Sequence, residues 1–449
     1  MSSVSSALSI ATSALAAQQK AIETVTQNVA QANTPGYSRQ EAVLVSSGPE
    51  GAVEVALIRR LRDTFLDKQI SDQNQSLGNW EVAQDTLEQI ELILPEPSSS
   101  GLGQLLSEFW NAWQEVSNQP SSLAARSALA ERASSLANAL NYTYNRLAQL
   151  RQQLDEKVAL DVGQINTAAT QIADLNKRIV NLELGGQPAN TLRDQRDLLI
   201  DQISKLVKIS YVDTGETGVT INIGGQALVS GFSTTPLATQ PDPANENLLS
   251  VVWSDSGAAA DITGGTLKGL FNARDETVPA KLDQLQQLAA ALITQVNTKH
   301  QAGFGLDDTT GLDFFSGSGA DNIAVASEIA ENPGKIAAAS AAASPGDASN
   351  ALAVSGLRNQ PVMEGGTASI DDFYRSLVIE TGVETRQARD MVDNEDAMLQ
   401  SMTERRQSVS GVSLDEEMAN LIKYQHAYQA AAKLIGVVDE MLDALINTI

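Results

Sequence analysis

Residues 28–40 read NVAQANTPGYSRQ, and they end a long helical pattern at Thr34-Pro35-Gly36. Pro35 disfavours helix at Thr34 and brings no amide hydrogen to the ladder, while Pro-Gly supplies the central pair of a type II turn with Gly36 at positive φ. The helix must stop there. Upstream, Met1, Val4, Leu8, Ala11, Leu15, Gln18, Ile22, Val25, Val29 and Ala32 recur at alternating three- and four-residue steps. That is a coiled-coil seam with Gln18 as its one polar step. In the first 35 residues only Lys20 and Glu23 carry charge. Ala, Ser, Thr and Gln fill the remaining outer positions, which suits close packing on several sides and points to an intersubunit environment.

The other end of the chain matches. After Gly411, Ser413 and Glu416 have the spacing of a capping box, and Asp415, Glu416 and Glu417 favour the positive start of a helix. Its seam runs Leu414, Met418, Leu421, Gln425, Tyr428, Ala432, Ile435, Asp439, Leu442, Ile446 and Ile449. Neither terminal helix is stable alone in water, because an apolar seam needs a partner. The two are expected to pair, with Leu8, Leu15, Ile22, Val25 and Val29 against Leu421, Tyr428, Ile435 and Leu442, and to touch neighbouring copies as well. Each large side chain so buried contributes about 1.5 to 3 kcal/mol.

Between the ends, two β-prone runs around Ser47-Gly48-Pro49 read as a hairpin. Helical pattern returns from about Arg60 to Leu94 and from Leu102 to Val116. It then continues almost unbroken from Ser121 to Leu184, with Leu140, Tyr144, Leu147, Leu154, Val158, Val162, Ile165, Ala169, Ile172, Ile179 and Leu182 on one face. Such a helix spans about 90 Å, a length few compact enzymes contain. LRDQRDLLIDQISKLV (192–207) is a further amphipathic helix. Residues 209–265 change to strand and turn chemistry, with Val219, Ile221 and Ile223 alternating before Gly224-Gly225. Helix resumes over 266–301, gives way to a Gly- and Asp-rich loop at 303–320 and an Ala- and Ser-rich tract without a clear element to about 365, and returns from Asp371 to about Val409. The expected fold is mainly α with a small β-rich insert. It divides into a terminal coiled coil (1–35 with 412–449), a long-helix middle domain carrying the hairpin (36–208 with 266–411) and an outer β domain (209–265).

Composition excludes much chemistry. Lys plus Arg is 30 against Asp plus Glu 55 in 449 residues, a net charge of −25 that repels phosphate backbones and anionic lipid surfaces, so neither nucleic acid nor membrane is an expected partner. There is no cysteine, which removes disulfides, thiolate metal sites and cysteine nucleophiles. No run of 18 apolar residues occurs, and the first twenty residues lack the basic-then-apolar order of a cleavable signal. Export would have to leave the amino terminus intact. Gly101-Leu102-Gly103 lacks the third glycine of a dinucleotide loop and follows serines rather than a strand. Asp307, Asp308 and Asp313 around Gly311 misalign with a calcium loop and read as a solvated turn. His300, after the apolar face of a helix and before Gly303, reads as a hydrogen-bonded helix-end residue, and His426 has no second histidine near it to hold a metal. RDQRD at 193–197 reads as a solvated, ion-paired helix surface rather than a catalytic cluster. No catalytic residue, cofactor site or metal site is expected.

SALAAQQKAIETVTQNVAQANTPGYSRQ resembles the amino-terminal signature of the bacterial flagellar axial family of rod, hook and hook-associated proteins, matching at residues 28 and 33–37. The turn residues Asn33, Thr34, Pro35, Gly36 and Tyr37 carry that likeness. The carboxyl end, SGVSLDEEMANLIKYQHAYQAAAKLIGVVDEMLDALINTI, resembles more narrowly the hook-filament junction family, FlgK, where rod and hook proteins commonly carry Gln-Arg in place of Gln425-His426. Interior segments resemble the same family in the same order; the likeness weakens over 210–265, where an extra outermost domain of larger members is missing or reduced. The resemblance implies a self-assembling structural protein, secreted through the flagellar type III export apparatus to the extracellular flagellum. Implied partners are further copies, the hook protein, an adjoining hook-associated protein and a dedicated export chaperone at the carboxyl-terminal helix. It also implies terminal segments that are disordered in the free monomer and form the inner tube, the turn at 34–36 redirecting the chain outward. A rod or hook protein, or a secreted adhesin or enzyme displayed on such a stalk, is the alternative.

Overall fold

A computed structural model of the chain describes residues 2–48, 51–98 and 101–446. Helix α1 (Ser2–Gln31) is followed by strands β1 (Gln40–Ser47) and β2 (Ala52–Arg60), which pair antiparallel with a bulge after Val43. Pro49 of the hairpin turn, and Met1 and Ile449 of the terminal seams, lie outside the described residues. Three helices come next: α2 (Thr64–Ile93), capped by the Asp63 carboxylate at the amides of Phe65 and Leu66, α3 (Leu102–Asn118) and α4 (Leu123–Leu184). At 62 residues α4 is about 90 Å long. Helix α5 (Asn190–Leu206) returns along it.

The β-rich part holds a four-stranded antiparallel sheet of β3 (Ser210–Asp213), β4 (Val219–Ile223), β5 (Gln226–Ser230) and β6 (Ser233–Thr234), and a ribbon of β7 (Leu237–Asp242) with β8 (Leu248–Trp253). Their buried faces, Val219, Ile221, Ile223, Leu228, Val229, Leu237, Val251 and Trp253, belong to the same continuous apolar cluster as the inner face of α4. Two asparagines of α4 fix the sheets to it. Asn166 bonds the amide and carbonyl of Leu237, and the fully buried Asn176 bonds both backbone groups of Val219 and the carbonyl of Gly231.

Helix α6 (Gly265–Asn272) runs through a π turn at Ala273–Thr277 into α7 (Val278–Gln301). The Gly- and Asp-rich loop contributes β9 (Phe315–Ser316), which pairs over two residues with β10 (Ala324–Val325) of the Ala- and Ser-rich tract; that tract, unassigned in sequence, also holds short helices α8 (Ser327–Glu331) and α9 (Ser349–Ser355), and turns. The chain closes with α10 (Ile370–Ser410), which packs along α2, and α11 (Leu414–Ile446), which packs along α1.

The inner face of α4 follows the sequence reading closely. Leu140, Leu147, Leu154, Val158, Val162, Ile165, Ala169, Ile172 and Ile179 are all buried, Tyr144 is half-buried and only Leu182 is exposed. Near its start the helix meets an aromatic cluster of Phe109, Trp110 and Trp113 from α3 with Phe314, Phe315 and His300. Ring centroids there stand 4.9 Å apart for Phe109 and Trp110 and 5.2 Å for Trp113 and Phe314.

His300 takes the helix-end role expected of it. Its Nδ1 donates to the carbonyl of Leu312 at 2.7 Å, and Nε2 accepts from the amide of Ala337 at 2.9 Å, which fixes the neutral tautomer. Burial pushes its pKa down from 6.5 to about 4. Because the folded value lies below the unfolded one, His300 supports the fold fully above pH 6.5, and that support is lost as the pH falls from 6.5 towards 4. The loss amounts to about 3 kcal/mol at roughly 1.4 kcal/mol per pH unit. Urea unfolding of the wild-type chain and His300→Gln at pH 7 and pH 4 should show a steeper acid loss for the wild type; equal losses would contradict the assignment.

Candidate assembly site

The turn at Thr34-Pro35-Gly36 forms as expected. The amide of Thr34 donates to the carbonyl of Gln31 at 2.9 Å, that of Tyr37 to the carbonyl of Thr34 at 3.1 Å, and Gly36 has φ 77°. Asn33, Thr34, Pro35 and Gly36 are exposed, and the turn lies beside Leu198 of α5. Tyr37 turns inward, and burial, with Asp194 adding to it, raises its hydroxyl to about 12.

Asn28 is the hub of the arrangement. Fully buried, it accepts at Oδ1 from the Gln40 amide (2.9 Å) and the Tyr37 hydroxyl (2.8 Å), and donates from Nδ2 to the Gln40 carbonyl (2.8 Å) and the Glu417 carboxylate (2.9 Å). One side chain thus ties α1 to the turn, to the edge of β1 and to the first turn of α11. The Glu417 carboxylate, itself buried, also accepts from Nε of Arg39 at 2.7 Å, and Arg39 donates from Nη1 to the Glu416 carboxylate at 2.7 Å. A buried carboxylate is tolerable only when paired in this way. The capping box expected of Ser413 and Glu416 forms in half: the Glu416 amide donates to Ser413 Oγ at 3.5 Å, while the Glu416 carboxylate goes to Arg39.

A second network joins this hub to the helical body. Asp194 accepts from the Ser38 amide and Arg60, Asp197 from Arg60 and Arg62, Asp67 from Arg62, and Asp201 from Arg406. The chain is thereby clamped from the hairpin to α2, α5 and α10. Burial raises the Asp194 and Asp201 carboxyls, against the opposing pull of Arg60 and Arg406 respectively. These pairs overturn the reading of RDQRD as a solvated surface. Asp194 and Arg196 are buried, and Arg196 bonds Asn176 and Asp213. Alternating signs mark a solvated helix only while no other element covers it, and here the hairpin and β3 do.

The terminal helices pair antiparallel, with α1 held between α11 and the hairpin. The face that α1 buries is made of Ala11, Ala17, Ala21, Thr24, Val25 and Asn28; on α11 Glu417, Ala431 and Val438 are buried, with Leu421, Tyr424 and Ile435 half-buried between them. Of the residues singled out in sequence, Val25 is buried, Leu15, Ile22, Leu421 and Ile435 are half-buried, and Leu8, Val29, Tyr428 and Leu442 are exposed. The fully buried part of the intrachain seam thus consists mainly of small residues, and four of the nine large apolar ones stand outside it. Asn28 belonged to the sequence signature but had no role in the periodicity argument; Arg39, Arg60, Arg62 and Asp67 gave no signal, since charged residues beside a turn read as solvated.

Among the described residues no group of three or more His, Asp or Glu is placed to hold a metal, and no helix is long and apolar enough to cross a membrane.

The comparisons agree along the chain. The family model described as flagellar hook-associated protein FlgK helical domain matches residues 87–315, and models of flagellar rod proteins match the ends, at 8–37 and 403–448. The chain is 32% identical to flagellar hook-associated protein 1 of Bacillus subtilis, over 100% of this chain and 99% of that one. The chain belongs to the FlgK family. It is a structural flagellar protein and not an enzyme. A second relative in the family, flagellar hook-associated protein 1 of Salmonella typhimurium, is 28% identical over 99% of this chain and 100% of its own length. That alignment runs over 556 positions, more than this chain's 449, so part of the Salmonella protein has no counterpart here. The solved flagellar hook junction protein FlgK from Burkholderia pseudomallei shares the fold, with a TM-score of 0.66 at 17% identity over 76% of this chain and 100% of that one.

Proposed function

We propose that this FlgK-family chain builds the junction between hook and filament of the extracellular bacterial flagellum, polymerising through its paired terminal helices. The observation that carries this is the match to hook-associated protein 1 from end to end, joined to a terminal pair whose outer flanks stay apolar. In this reading Leu8, Leu15, Ile22, Val25, Val29, Leu421, Tyr428, Ile435 and Leu442 supply the assembly interface, some within the pair and the exposed ones between copies. The turn at Asn33–Tyr37 sets the angle between the pair and the body. The three-part division at 1–35 with 412–449, 36–208 with 266–411, and 209–265 corresponds to inner, middle and outer layers, although the β-rich layer shares its core with α4. The chain adjoins the hook protein on one side and another hook-associated protein on the other, and before export its α11 is held by a chaperone.

Deleting the gene and imaging the cells tests the assignment. Bare hooks, with filament subunits lost to the medium, are the expected result. Cells without hooks would make the chain a rod or hook component instead.

A further inference from the structure

Helix α11 carries two separate apolar ridges that its pairing with α1 leaves uncovered. Near the elbow, Leu414, Met418 and Ile422 are 53%, 50% and 50% exposed; near the tip, Leu434, Val437 and Met441 are 45%, 47% and 52% exposed. At about 100° per residue, each ridge stands roughly a quarter turn from the buried face beside it, and the two lie on opposite flanks of that face. Their centres are separated by about 30 Å along the helix, at 1.5 Å per residue.

We propose that copies of this chain join head to tail, the elbow ridge of one α11 packing against the tip ridge of the next, with the copies offset by about 30 Å along the helix axis. The proposal rests on the self-assembly argued above and specifies its contact. Two different patches on opposite flanks make a heterologous interface, which continues from copy to copy, whereas a single self-complementary patch closes a dimer. The ridges also match in register. With parallel helix axes at this offset, Leu414 faces Leu434, Met418 faces Val437 and Ile422 faces Met441. Asp415, beside the elbow ridge, then comes within about two residues of Lys433 beside the tip ridge, about 3 Å of axial distance. Both side chains are exposed, so each is free to reach the other copy. The contact covers apolar area on both flanks of every interior copy, while the alanine-rich seam stays inside each pair.

The absence of cysteine makes the test direct. Met418→Cys, Val437→Cys and the double variant are produced in cells that lack the wild-type gene, and the isolated flagella are treated with a mild oxidant and run on a non-reducing gel. The double variant should give a ladder of cross-linked species, co-expressed single variants a dimer, and each single variant alone only monomer. Dimers from Met418→Cys alone would mean that like ridges meet, and the proposal fails. It also fails if the double variant is present in flagella with filaments attached and yet gives no ladder. Absence of the unsubstituted chain from wild-type flagella would overturn the junction reading itself, and the proposal with it.

Discussion

Asn28→Ala should detach filaments. The substitution deletes four hydrogen bonds at a fully buried position and leaves the two backbone groups of Gln40, the Tyr37 hydroxyl and the Glu417 carboxylate each short of a partner. A buried neutral group so orphaned costs about 1–3 kcal/mol, and a buried charge that loses a partner costs more. A total of roughly 3–5 kcal/mol is therefore expected, with little to offset it. The loss falls on the docking of α11 and the hairpin against α1, because the helical body has its own continuous core. Three kcal/mol corresponds to about a hundredfold or more in an equilibrium constant. The quantity to measure is the ratio of chain retained in sheared flagella to chain secreted into the medium, which should fall by about that factor while total secretion stays constant. Asn28→Asp should be no better, since it sets a second carboxylate beside Glu417. Wild-type retention in Asn28→Ala would show that the hub does not hold the elbow.

Trp113→Ala should produce the other large effect, this time in the body. Trp113 is fully buried between α4 and the loop carrying Phe314, with its ring 5.2 Å from Phe314 and 6.3 Å from His300. Emptying such a site removes transfer free energy and leaves a cavity, together about 3–5 kcal/mol. Its indole nitrogen has no hydrogen-bond partner, so Trp113→Phe removes an unpaired donor along with some volume and should cost far less. Denaturant titrations of the purified variants compare the two. Near-equal losses for alanine and phenylalanine would mean that the aromatic packing is not what stabilises this end of α4.

Both substitutions bear on how much of the molecule could be read from the chain. The turn at Thr34-Pro35-Gly36, the hairpin, the 62-residue α4 with its buried face, the strand-rich segment after α5 and both terminal helices follow from residue spacing and turn chemistry. Those signals are local, and nothing distant overrides them. The resemblance to the flagellar axial family was equally legible, because its motifs sit in contiguous stretches at the two ends.

The seam of the terminal pair needed the fold. Periodicity counts hydrophobicity, so beside Ala11 and Val25, which are buried, it selected Leu8, Val29 and Tyr428, which stand exposed, and passed over Ala17, Ala21 and Ala431, which the helices bury between themselves and their neighbours. Small side chains let backbones approach, and size rather than hydrophobicity decided which flank turned inward. The elbow needed the fold for a related reason. Asn28, Glu417, Asp194 and Arg196 are polar and would be solvated in isolation; they are buried because their partners arrive from far along the chain, 389 residues away for Asn28 and Glu417. The sequence by itself determined the elements and the family. Only the tertiary structure decided which polar groups are paired in the interior and which apolar ridges stay exposed, since both depend on what covers a surface and not on the residues that compose it.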